Sequence, residues 1–232
     1  MRRHIASVSW GKDSLAMLLM LIDRNEPLDE VVFYDTGMEF QAIYDTRDKT
    51  LPLLAGRGIK YTELHPIETF EHNMFYRQVN GPNGPHNGYG WCGGRCRWGT
   101  TMKRTALDSH CGDAVCYVGL AHDERDRIMK PARKTKSYPL AEWGITEGEA
   151  LLYCYTRGYH WMECGKPLYA LLDRVSCWCC RNKNLKELRN YYYYLPSYWD
   201  RLKKLQEREK RPFKPAGSIH ELEVRFAKEA TT

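Results

Sequence analysis

Residues 7–14, Ser-Val-Ser-Trp-Gly-Lys-Asp-Ser, constrain the fold of this chain more than any other stretch. Ahead of them, residues 4–8 are mostly small or β-branched and predict a short buried strand. Behind them, apolar residues recur at helical spacing from Leu15 to Ile22, until Pro27 stops the pattern. A strand that turns directly into a helix gathers hydroxyls, a lysine and unpaired backbone N–H groups at the helix N-terminus. This arrangement predicts an anion-binding site, above all for phosphate.

Alternating strand and helix patterns continue along the chain. Residues 31–34, 59–64 and 114–118 predict three further strands, and residues 40–54 predict the helix between the first two of them. Strands that are separated by helical segments predict βαβ units. The expected fold is therefore an α/β fold with a doubly wound, mostly parallel sheet and helices on both of its faces.

Residues able to bind a ligand follow the ends of three predicted strands. Gly11, Asp35 and Gly119 each lie just beyond a strand, and open parallel sheets bind ligands beyond the carboxyl ends of their strands. We therefore expect these residues to converge on one site. Within it, Lys12 would supply charge to a phosphate. Asp13 would either bind a Mg²⁺ ion that bridges phosphates or cap the helix.

The N-terminal residues do not resemble a targeting segment. The start, Met-Arg-Arg-His, is basic, but no apolar run of signal-peptide length follows it. The longest apolar run, residues 15–22, is too short to span a bilayer. These observations predict a cytoplasmic protein without a membrane partner.

Several segments carry a resemblance to a known family. The loop order Gly-Lys-Asp-Ser differs from a Walker A motif and resembles the Ser-Gly-Gly-Lys-Asp-Ser loop of the ATP pyrophosphatase (PP-loop) superfamily, with Trp10 replacing one glycine. Residues 32–40 resemble the Phe-x-Asp-Thr-Gly-x-Glu-Phe signature of the phosphoadenosine phosphosulfate (PAPS) reductase family within that superfamily. Residues 119–127 and 138–143 resemble two later segments of the same family. The resemblance covers roughly residues 4–185 and implies an adenine nucleotide alpha hydrolase-like fold.

The resemblance also implies a bound adenine nucleotide, either ATP or an adenylylsulfate-type nucleotide, together with Mg²⁺. Asp35 and Thr36 would face the ribose or base, unless they only form a helix-capping turn. Arg125 and Arg127 would clamp phosphate or sulfate, unless they are merely solvated. The candidate nucleotide-binding residues are Ser7, Ser9, Gly11, Lys12, Asp13, Ser14, Asp35, Thr36, Gly119, Arg125 and Arg127. We expect residues 1–175 to form the nucleotide-binding domain, with residues 176–232 packed on it as a helical region that contains cysteines.

Nine cysteines are many for a chain in a reducing compartment, and they suggest metal or redox chemistry. Two close pairs, Cys92 with Cys96 and Cys177 with Cys180, are enough for a four-thiolate metal site. The second pair resembles a Gly-Cys-x-x-Cys segment of PAPS-reductase-like proteins. In related adenylylsulfate reductases and DNA-phosphorothioation proteins, paired cysteines at corresponding places hold a [4Fe–4S] cluster. Cys179 is then the candidate free catalytic thiol.

Zinc and ordinary buried thiols stay open as alternatives for this site. The reductase pattern has adjacent cysteines at the place where Cys92 and Cys96 are separated by three residues. The remaining cysteines fall in predicted helix, strand or core segments, and we expect them to act as small apolar core residues. They are Cys111, Cys116, Cys154 and Cys164.

Two further stretches stand out by composition. From Asn80 to Gly94 the chain has six glycines, two prolines and no periodicity, which predicts a long functional or disordered loop. From Arg181 to Arg211 it has ten Lys/Arg against four Asp/Glu, whereas the rest of the chain is balanced at 25 of each. Aromatic residues interrupt this basic segment. The segment predicts either a surface that binds tRNA or DNA, or two amphipathic helices with a packed aromatic face.

Three functions compete at this point. The leading hypothesis is an ATP pyrophosphatase that adenylylates a substrate oxygen, which sulfur from a donor protein then replaces, with Lys12, Asp13 and Cys179 as catalytic residues. The second is a sulfonucleotide reductase. The resemblance argues against a conventional one, because those carry a terminal Glu-Cys-Gly-Leu/Ile-His motif and no cysteine follows Cys180 here. The third is a non-catalytic nucleotide- and nucleic-acid-binding subunit of a modification or defence complex, which Trp10 in the phosphate loop would favour.

Overall fold

The computed structural model describes residues 2–82, 84–92, 94, 96–129 and 135–229. Its strands are β1 (His4–Ser7), β2 (Glu30–Tyr34), β3 (Lys60–Leu64), β4 (Gln78–Gly81), β5 (Gly84–Asn87), β6 (Val115–Val118), β7 (Lys136–Ser137), β8 (Met162–Glu163) and β9 (Lys166–Pro167). Its helices are α1 (Lys12–Asp23), α2 (Gln41–Gly56), α3 (Lys103–Cys111), α4 (Arg125–Ile128), α5 (Pro139–Glu142), α6 (Glu147–Thr156), α7 (Leu168–Leu171), α8 (Leu185–Tyr194), α9 (Pro196–Arg208) and α10 (Ile219–Glu229). Two π-helical turns cover His72–Tyr76 and Arg97–Met102.

The chain divides into two compact units. The first unit comprises residues 1–35, 41–65 and 104–161, and the second unit comprises residues 36–40, 66–103 and 162–232. These bounds differ from the expected ranges 1–175 and 176–232, because two earlier segments belong with the C-terminal part. The assignment of nucleotide binding to residues 1–175 is a statement about function and stays a prediction.

A parallel sheet organises the first unit. Its five strands follow the order β3-β2-β1-β6-β7, and every neighbouring pair is parallel. From β1 the chain moves outward through β2 and β3, and then returns to the other side of β1 to form β6 and β7. The order therefore reverses between β1 and β6, where open α/β sheets form their ligand crevice. The predicted α/β class with a mostly parallel sheet is confirmed.

Helices cover both faces of this sheet. On one face, Leu107 of α3 packs with the buried Ile5, Val32 and Cys116. The central strand β2 is buried along its whole length, as expected for a strand covered on both sides. Ten of the twelve residues of α1 are buried, and this helix packs against α6. The sheet is thus doubly wound, with α1 as a core helix whose N-terminus lies beside the reversal point.

The second unit is built from short elements and an aromatic core. Phe40 lies 4.8 Å from Tyr198 and 5.9 Å from Tyr191 between ring centroids, and Trp199 lies 5.9 Å from Phe226. Helices α8, α9 and α10 pack on one another around these rings. The sequence predicts two helices, residues 185–195 and 197–211, divided by Pro196. The structure confirms this division, and Pro196 begins α9 at a first-turn position where its missing N–H costs nothing.

Two predictions for residues 80–107 need correction. The expected irregular loop contains a hairpin, in which β4 pairs with β5 from Gln78 opposite Asn87 to Gly81 opposite Gly84. Glycine and proline have poor strand propensity, so the pattern of this stretch does not indicate strands. The residues from Trp98 to Leu107 predict one helix, but the structure has the π-helical turn Arg97–Met102, which continues as α3.

No helix in the described part of the chain is long and apolar enough to cross a membrane.

The close packing of Gly119 on α1 gives a stability prediction. A Cβ atom at Gly119 would lie 2.7 Å from the Cα of Ser14 and 2.8 Å from its backbone nitrogen, and a helical backbone cannot yield as a flexible side chain can. We expect Gly119→Ala to lower the free energy of unfolding by about 1–3 kcal/mol. Urea denaturation measures this change.

Gly148→Ala is the matched control for this experiment. Gly148 lies within α6, and an added Cβ would meet nothing within 4 Å. Alanine there should raise the free energy of unfolding by about 0.5–1 kcal/mol, because glycine weakens helix interiors. Equal unfolding midpoints for the two variants would contradict the packing described for Gly119.

Candidate functional site

The loop between β1 and α1 is closed by its own hydroxyl groups. The backbone N–H of Ser9 donates to Ser14 Oγ at 3.1 Å, and Ser14 Oγ donates to the carbonyl of Gly11 at 3.1 Å. Ser9 Oγ also lies 3.1 Å from Ser14 Oγ. Gly11 has an extended backbone and immediately precedes the first turn of α1. The predicted phosphate loop is therefore an ordered turn at a helix N-terminus, where backbone N–H groups favour anions.

Lys12 is held between two carboxylates. Its Nζ lies 2.7 Å from Asp13 Oδ1 and 3.0 Å from Glu147 Oε2, and the residue is only 8% exposed. Burial raises the pKa of Asp13 to about 6, although the ammonium of Lys12 opposes this shift. The charges of Glu147 and Glu124 raise the same pKa further. The loop thus carries an excess of carboxylates around one ammonium, a donor set that suits a divalent cation.

Glu147 is a site residue that the sequence reasoning missed. It is the first residue of α6, and its backbone N–H donates to Asp123 Oδ1 at 3.0 Å. A capping box of Thr146 and Glu149 fixes the start of this helix. That motif is readable in the sequence and marks Glu147 as a first-turn carboxylate. Its approach to Lys12 depends on the packing of α6 against α1, which no local pattern encodes.

The other predicted nucleotide contacts separate into groups. Gly119 lies against the first turn of α1, so it joins the loop as expected. Ser7 ends β1. Arg125 is exposed on α4, and the guanidinium of Arg127 pairs with Glu124, so Arg127 is already bound to a carboxylate. A phosphate clamp by these arginines stays a prediction.

Asp35 and Thr36 have different surroundings. Asp35 lies at the end of β2 and accepts a hydrogen bond from the hydroxyl of Tyr44 at 2.8 Å. The carboxylates of Asp35 and Glu63 and the imidazole of His65 form a group. One potential ligand atom from each lies within 4.8 Å of the other two. Thr36 belongs to the second unit, where Thr36 Oγ1 lies 3.5 Å from Cys177 Sγ. A contact of either residue with a ribose or base stays a prediction.

Trp10 has the backbone conformation of a glycine. Its φ of 60° lies in the left-handed region, which L-residues rarely adopt. The side chain is fully buried, with ring centroids 6.4 Å from Phe33 and 6.0 Å from Tyr61. The indole N–H of Trp161 donates to the carbonyl of Trp10 at 2.8 Å. Trp10 is thus a core residue, and the idea that its ring narrows a phosphate pocket has no support from this packing.

The predicted thiolate ligands all lie in the second unit. Cys96 precedes the turn Arg97–Met102, and its Sγ accepts the N–H of Gly99 at 3.2 Å. A hydrogen bond from the Cys92 thiol, supported by backbone N–H groups of this turn, lowers the pKa of Cys96 to about 6. The same interaction raises the pKa of Cys92. Two of the four predicted ligands therefore interact directly, and one of them, Cys96, ionises more readily than an ordinary cysteine.

Gly99 brings the two cysteine pairs together. A Cβ atom on Gly99 would lie 3.6 Å from Cys177 Sγ and 3.9 Å from Cys96 Sγ, so both sulfurs contact the same glycine. Burial raises the pKa of Cys177, and the charge of Cys180 raises it further. The pairs predicted from sequence spacing are thus spatial neighbours.

The spacing of the sulfur atoms bears on which group they fit. Among the described residues, no three cysteine sulfurs all lie within 4.8 Å of one another. Four thiolates on one tetrahedral zinc ion stand about 3.8 Å apart, given Zn–S bonds of about 2.3 Å. A cubane iron–sulfur cluster is larger than a single ion and separates its thiolates further. A set of four thiolates is the donor set that iron–sulfur clusters use, and it also suits zinc.

Lys183 is a buried cation beside these cysteines and was not anticipated as such. It is 2% exposed, it donates to Ser176 Oγ at 3.2 Å, and its Nζ lies 5.5 Å from the ring centroid of Phe40. Burial lowers the pKa of Lys183, whereas Glu187 and the thiols of Cys180, Cys177 and Cys179 oppose this shift. A positive charge in this position suits an anionic group held by thiolates.

Cys179 is buried, and this burial raises the pKa of its thiol. A catalytic role for Cys179 stays a prediction. Cys164 is exposed and was wrongly expected in the core, because it lies at the tight turn between β8 and β9. Cys111, Cys116 and Cys154 are buried, as predicted.

The basic segment from Arg181 to Arg211 also requires correction. Tyr191, Tyr198 and Trp199 are buried in the core of the second unit, so these rings cannot stack on a base. The prediction of a base-stacking surface is wrong for these three residues, because the aromatic positions follow the buried faces of α8 and α9. Many of the cations are paired within the unit, as Arg208 is with Glu71.

Three known proteins or families are similar to this chain. The family model of the phosphoadenosine phosphosulfate reductase domain matches residues 3–147, more than half of the chain. The uncharacterized protein MJ0066 of Methanocaldococcus jannaschii is 23% identical over 207 residues, which cover 85% of this chain. The chain spans about two fifths (40%) of the length of that relative. The U34-tRNA thiolase NcsA from Methanococcus maripaludis, solved with its [4Fe-4S] cluster, has a TM-score of 0.47 and 15% identity, over 99% of this chain and 73% of that chain.

The left-handed backbone of Trp10 predicts that a glycine variant is more stable than an alanine variant at this position, the reverse of the usual order. Trp10→Ala and Trp10→Gly both remove a buried indole and should each cost about 3–5 kcal/mol in the free energy of unfolding. The glycine variant should be the more stable of the two by about 1 kcal/mol, because glycine adopts positive φ without strain. Urea denaturation of both variants measures the difference.

Trp161 provides the matched control for this comparison. It is 1% exposed and has no positive φ. Trp161→Gly should therefore be less stable than Trp161→Ala by about 0.5–1 kcal/mol, because glycine gains more freedom on unfolding. If the alanine variant is more stable than the glycine variant at both positions, the strain at Trp10 is refuted.

Proposed function

Because the chain belongs to the phosphoadenosine phosphosulfate reductase domain family, we propose that it is an enzyme that binds ATP at residues 9–14 and adenylylates a substrate oxygen. A sulfur atom then replaces the activated oxygen. The observation that carries this proposal is the ordered Ser9–Ser14 loop at the N-terminus of α1, beside the strand-order reversal, with Lys12 in its first turn. This is the arrangement that holds phosphates in open α/β sheets.

The proposed reaction has two balanced steps. The substrate oxygen attacks the α-phosphorus of ATP, the bond between the α-phosphorus and the bridging oxygen breaks, and pyrophosphate leaves with the bonding electron pair. A hydrosulfide ion, free or delivered by a sulfur-donor protein, then attacks the carbon that bears the adenylate. The carbon–oxygen bond breaks, AMP leaves, and one proton is released as the thiocarbonyl forms.

The residues of the first unit would hold the nucleotide for the first step. Lys12 would balance charge on the phosphates, and the hydroxyls of Ser9 and Ser14 would fix their orientation. Asp13 and Glu147 share Lys12 between them, and we propose that they hold Mg²⁺ when a nucleotide is bound. Asp35 would contact the ribose or base from the end of β2.

The second unit would hold the metal centre. Cys92, Cys96, Cys177 and Cys180 would be the ligands of a [4Fe–4S] cluster, whose thiolate chemistry they fit. When bound, such a cluster supplies a centre that can bind or relay sulfur. Lys183 would offset its negative charge, and Thr36 would hydrogen-bond Cys177. We retain Cys179 as a thiol beside the centre.

Sulfonucleotide reduction is the second candidate, and the family match favours it directly, since the matched domain is named for that reaction. A cysteine thiolate would attack the sulfur of adenylylsulfate, AMP would leave, and an external thiol would release sulfite as a disulfide forms. Release of sulfite from adenylylsulfate in the presence of a thiol would establish this activity in place of the first.

The role of Lys12 can be tested by substitution. Lys12→Ala should lower pyrophosphate release from ATP, in the presence of Mg²⁺ and bulk RNA, by about 100-fold or more, because the phosphates lose their cation. Ser9→Ala is a second variant, because the Ser9 residue is exposed and its loss leaves no buried charge unpaired. It should reduce the rate by about tenfold.

Lys60→Ala is the control for charge alone, because it removes an exposed lysine of β3 that pairs with Glu30. It should leave the rate unchanged. Thermal unfolding establishes that each variant is folded. Full activity in a folded Lys12→Ala protein would refute the proposed nucleotide site and would favour a non-catalytic role for the chain.

The metal centre can be tested by composition, independently of any reaction. Protein purified without oxygen should absorb broadly in the visible range and contain iron and acid-labile sulfide. Replacement of Cys96 or Cys177 by alanine should remove most of the iron. Cys164→Ala, at an exposed position away from the proposed ligands, should retain it. A stoichiometric zinc ion without iron would replace the cluster in this proposal, and no bound metal would end it.

A further inference from the structure

An open pocket of about 340 Å³ lies in the second unit beside the predicted ligand Cys92. Residues of the hairpin β4–β5 form one side of it, and the segment that follows the hairpin forms the other. Its lining includes His86, Tyr89, Trp91, Cys92 and Arg97. A volume of this size is in the range of sites for nucleosides and other small ligands.

One wall of the pocket is a flat, cationic surface. The guanidinium of Arg97 lies 4.8 Å from the ring centroid of Tyr89, and both residues line the pocket. Arg97 is exposed, and it makes no ion pair with any residue that the structure describes. A guanidinium plane that is backed by an aromatic ring is a surface on which an unstacked base packs well.

The hairpin contributes a polar side chain to the opposite side. His86 is exposed and lies opposite Val79, so these two side chains share one face of the hairpin, whereas Asn80, opposite Pro85, belongs to the other face. An imidazole can donate one hydrogen bond and accept another. The edge of a nucleobase presents both donors and acceptors, so the imidazole of His86 matches its chemistry.

The pocket is braced by the end of the basic segment. The indole of Trp91 packs edge-on against Phe213 at 4.7 Å, and its N–H donates to the carbonyl of Arg211 at 3.1 Å. The guanidinium of Arg211 in turn donates to the carbonyl of Tyr89 at 2.9 Å. Arg211 also pairs with Glu209 at 3.0 Å, so its role is to hold the wall of the pocket in place.

We propose that this pocket binds an unstacked nucleobase of a single-stranded nucleic acid, next to Cys92. That this base is the substrate to be thiolated rests on the proposed function, whereas its binding in the pocket does not. The shared chemistry is a nucleobase with an adjacent phosphate, which a free nucleotide also offers. A pocket of this volume admits at most an extended tail of a protein that carries sulfur.

The test measures binding without turnover. A short single-stranded oligoribonucleotide with one 2-aminopurine is titrated into the full chain, with its metal, in the absence of ATP. Binding should quench the 2-aminopurine as it stacks. Tyr89→Leu and Arg97→Gln should each weaken binding by about 5- to 100-fold, since loss of one stacking contact has that effect. His86→Ala, at an exposed position, is the variant least able to disturb the fold, and it should also weaken binding.

Tyr194→Leu and Arg225→Gln are the matched controls, because both residues are exposed in the second unit and do not line the pocket. They should bind the oligoribonucleotide as the unmodified protein does. Iron and zinc content should be equal in all variants, which separates loss of the base from loss of the metal. Lys12→Ala should bind RNA normally, so failure of the nucleotide site is distinguishable from failure of the pocket.

Each result decides the proposal. RNA binding that all three pocket variants weaken supports it. Binding of AMP that these variants weaken, without binding of the oligoribonucleotide, would reassign the pocket to a free nucleotide. Unchanged binding of both probes in all pocket variants would overturn it. So would variants that bind RNA normally but lose sulfur uptake from a protein carrier, since the pocket would then receive the carrier.

Discussion

The contact between Gly119 and the first turn of α1 is the constraint on which the first unit depends. β1 and β6 are neighbours, and the chain leaves them in opposite directions at the point where the strand order reverses. Without a side chain, Gly119 lets the end of β6 approach the backbone of Ser14 at a distance that any Cβ would forbid. The position of the phosphate loop, and with it the position of Lys12, follows from this approach.

The charges at that loop imply how a nucleotide is accommodated. Lys12 is already neutralised by Asp13 and Glu147, so the loop without a ligand does not offer a free cation to a phosphate. A phosphate placed there would face two carboxylates and be repelled unless a divalent cation lies between them, or unless Asp13 takes up a proton. Burial raises the pKa of Asp13 to about 6, which shows the cost of keeping this carboxylate ionised without such a cation.

Local patterns predicted four of the five strands of the sheet because strand periodicity is a property of neighbouring residues, whereas the two-residue strand β7 is too short to show a pattern. The hairpin β4–β5 was missed, since its strands are rich in glycine and proline and are stabilised by pairing with each other. Glu147 and Lys183 were not recognised as site residues, because their roles depend on helix packing and burial. The aromatic residues of α8 and α9 were ambiguous from sequence, as burial decides between a core and a stacking surface.

The Asp-Thr-Gly signature illustrates how one motif can serve two chemistries. Asp35 ends β2 in the first unit, whereas residues 36–40 belong to the second unit. Thr36 Oγ1 donates to Glu39 at 2.9 Å and lies 3.5 Å from Cys177, which is itself within 3.9 Å of Glu39. Burial is the main reason why the pKa of Cys177 is raised, the carboxylate of Glu39 raises it further, and the hydrogen bond with Thr36 lowers it. Two residues of the signature therefore act in opposite directions on the ionisation of this thiol.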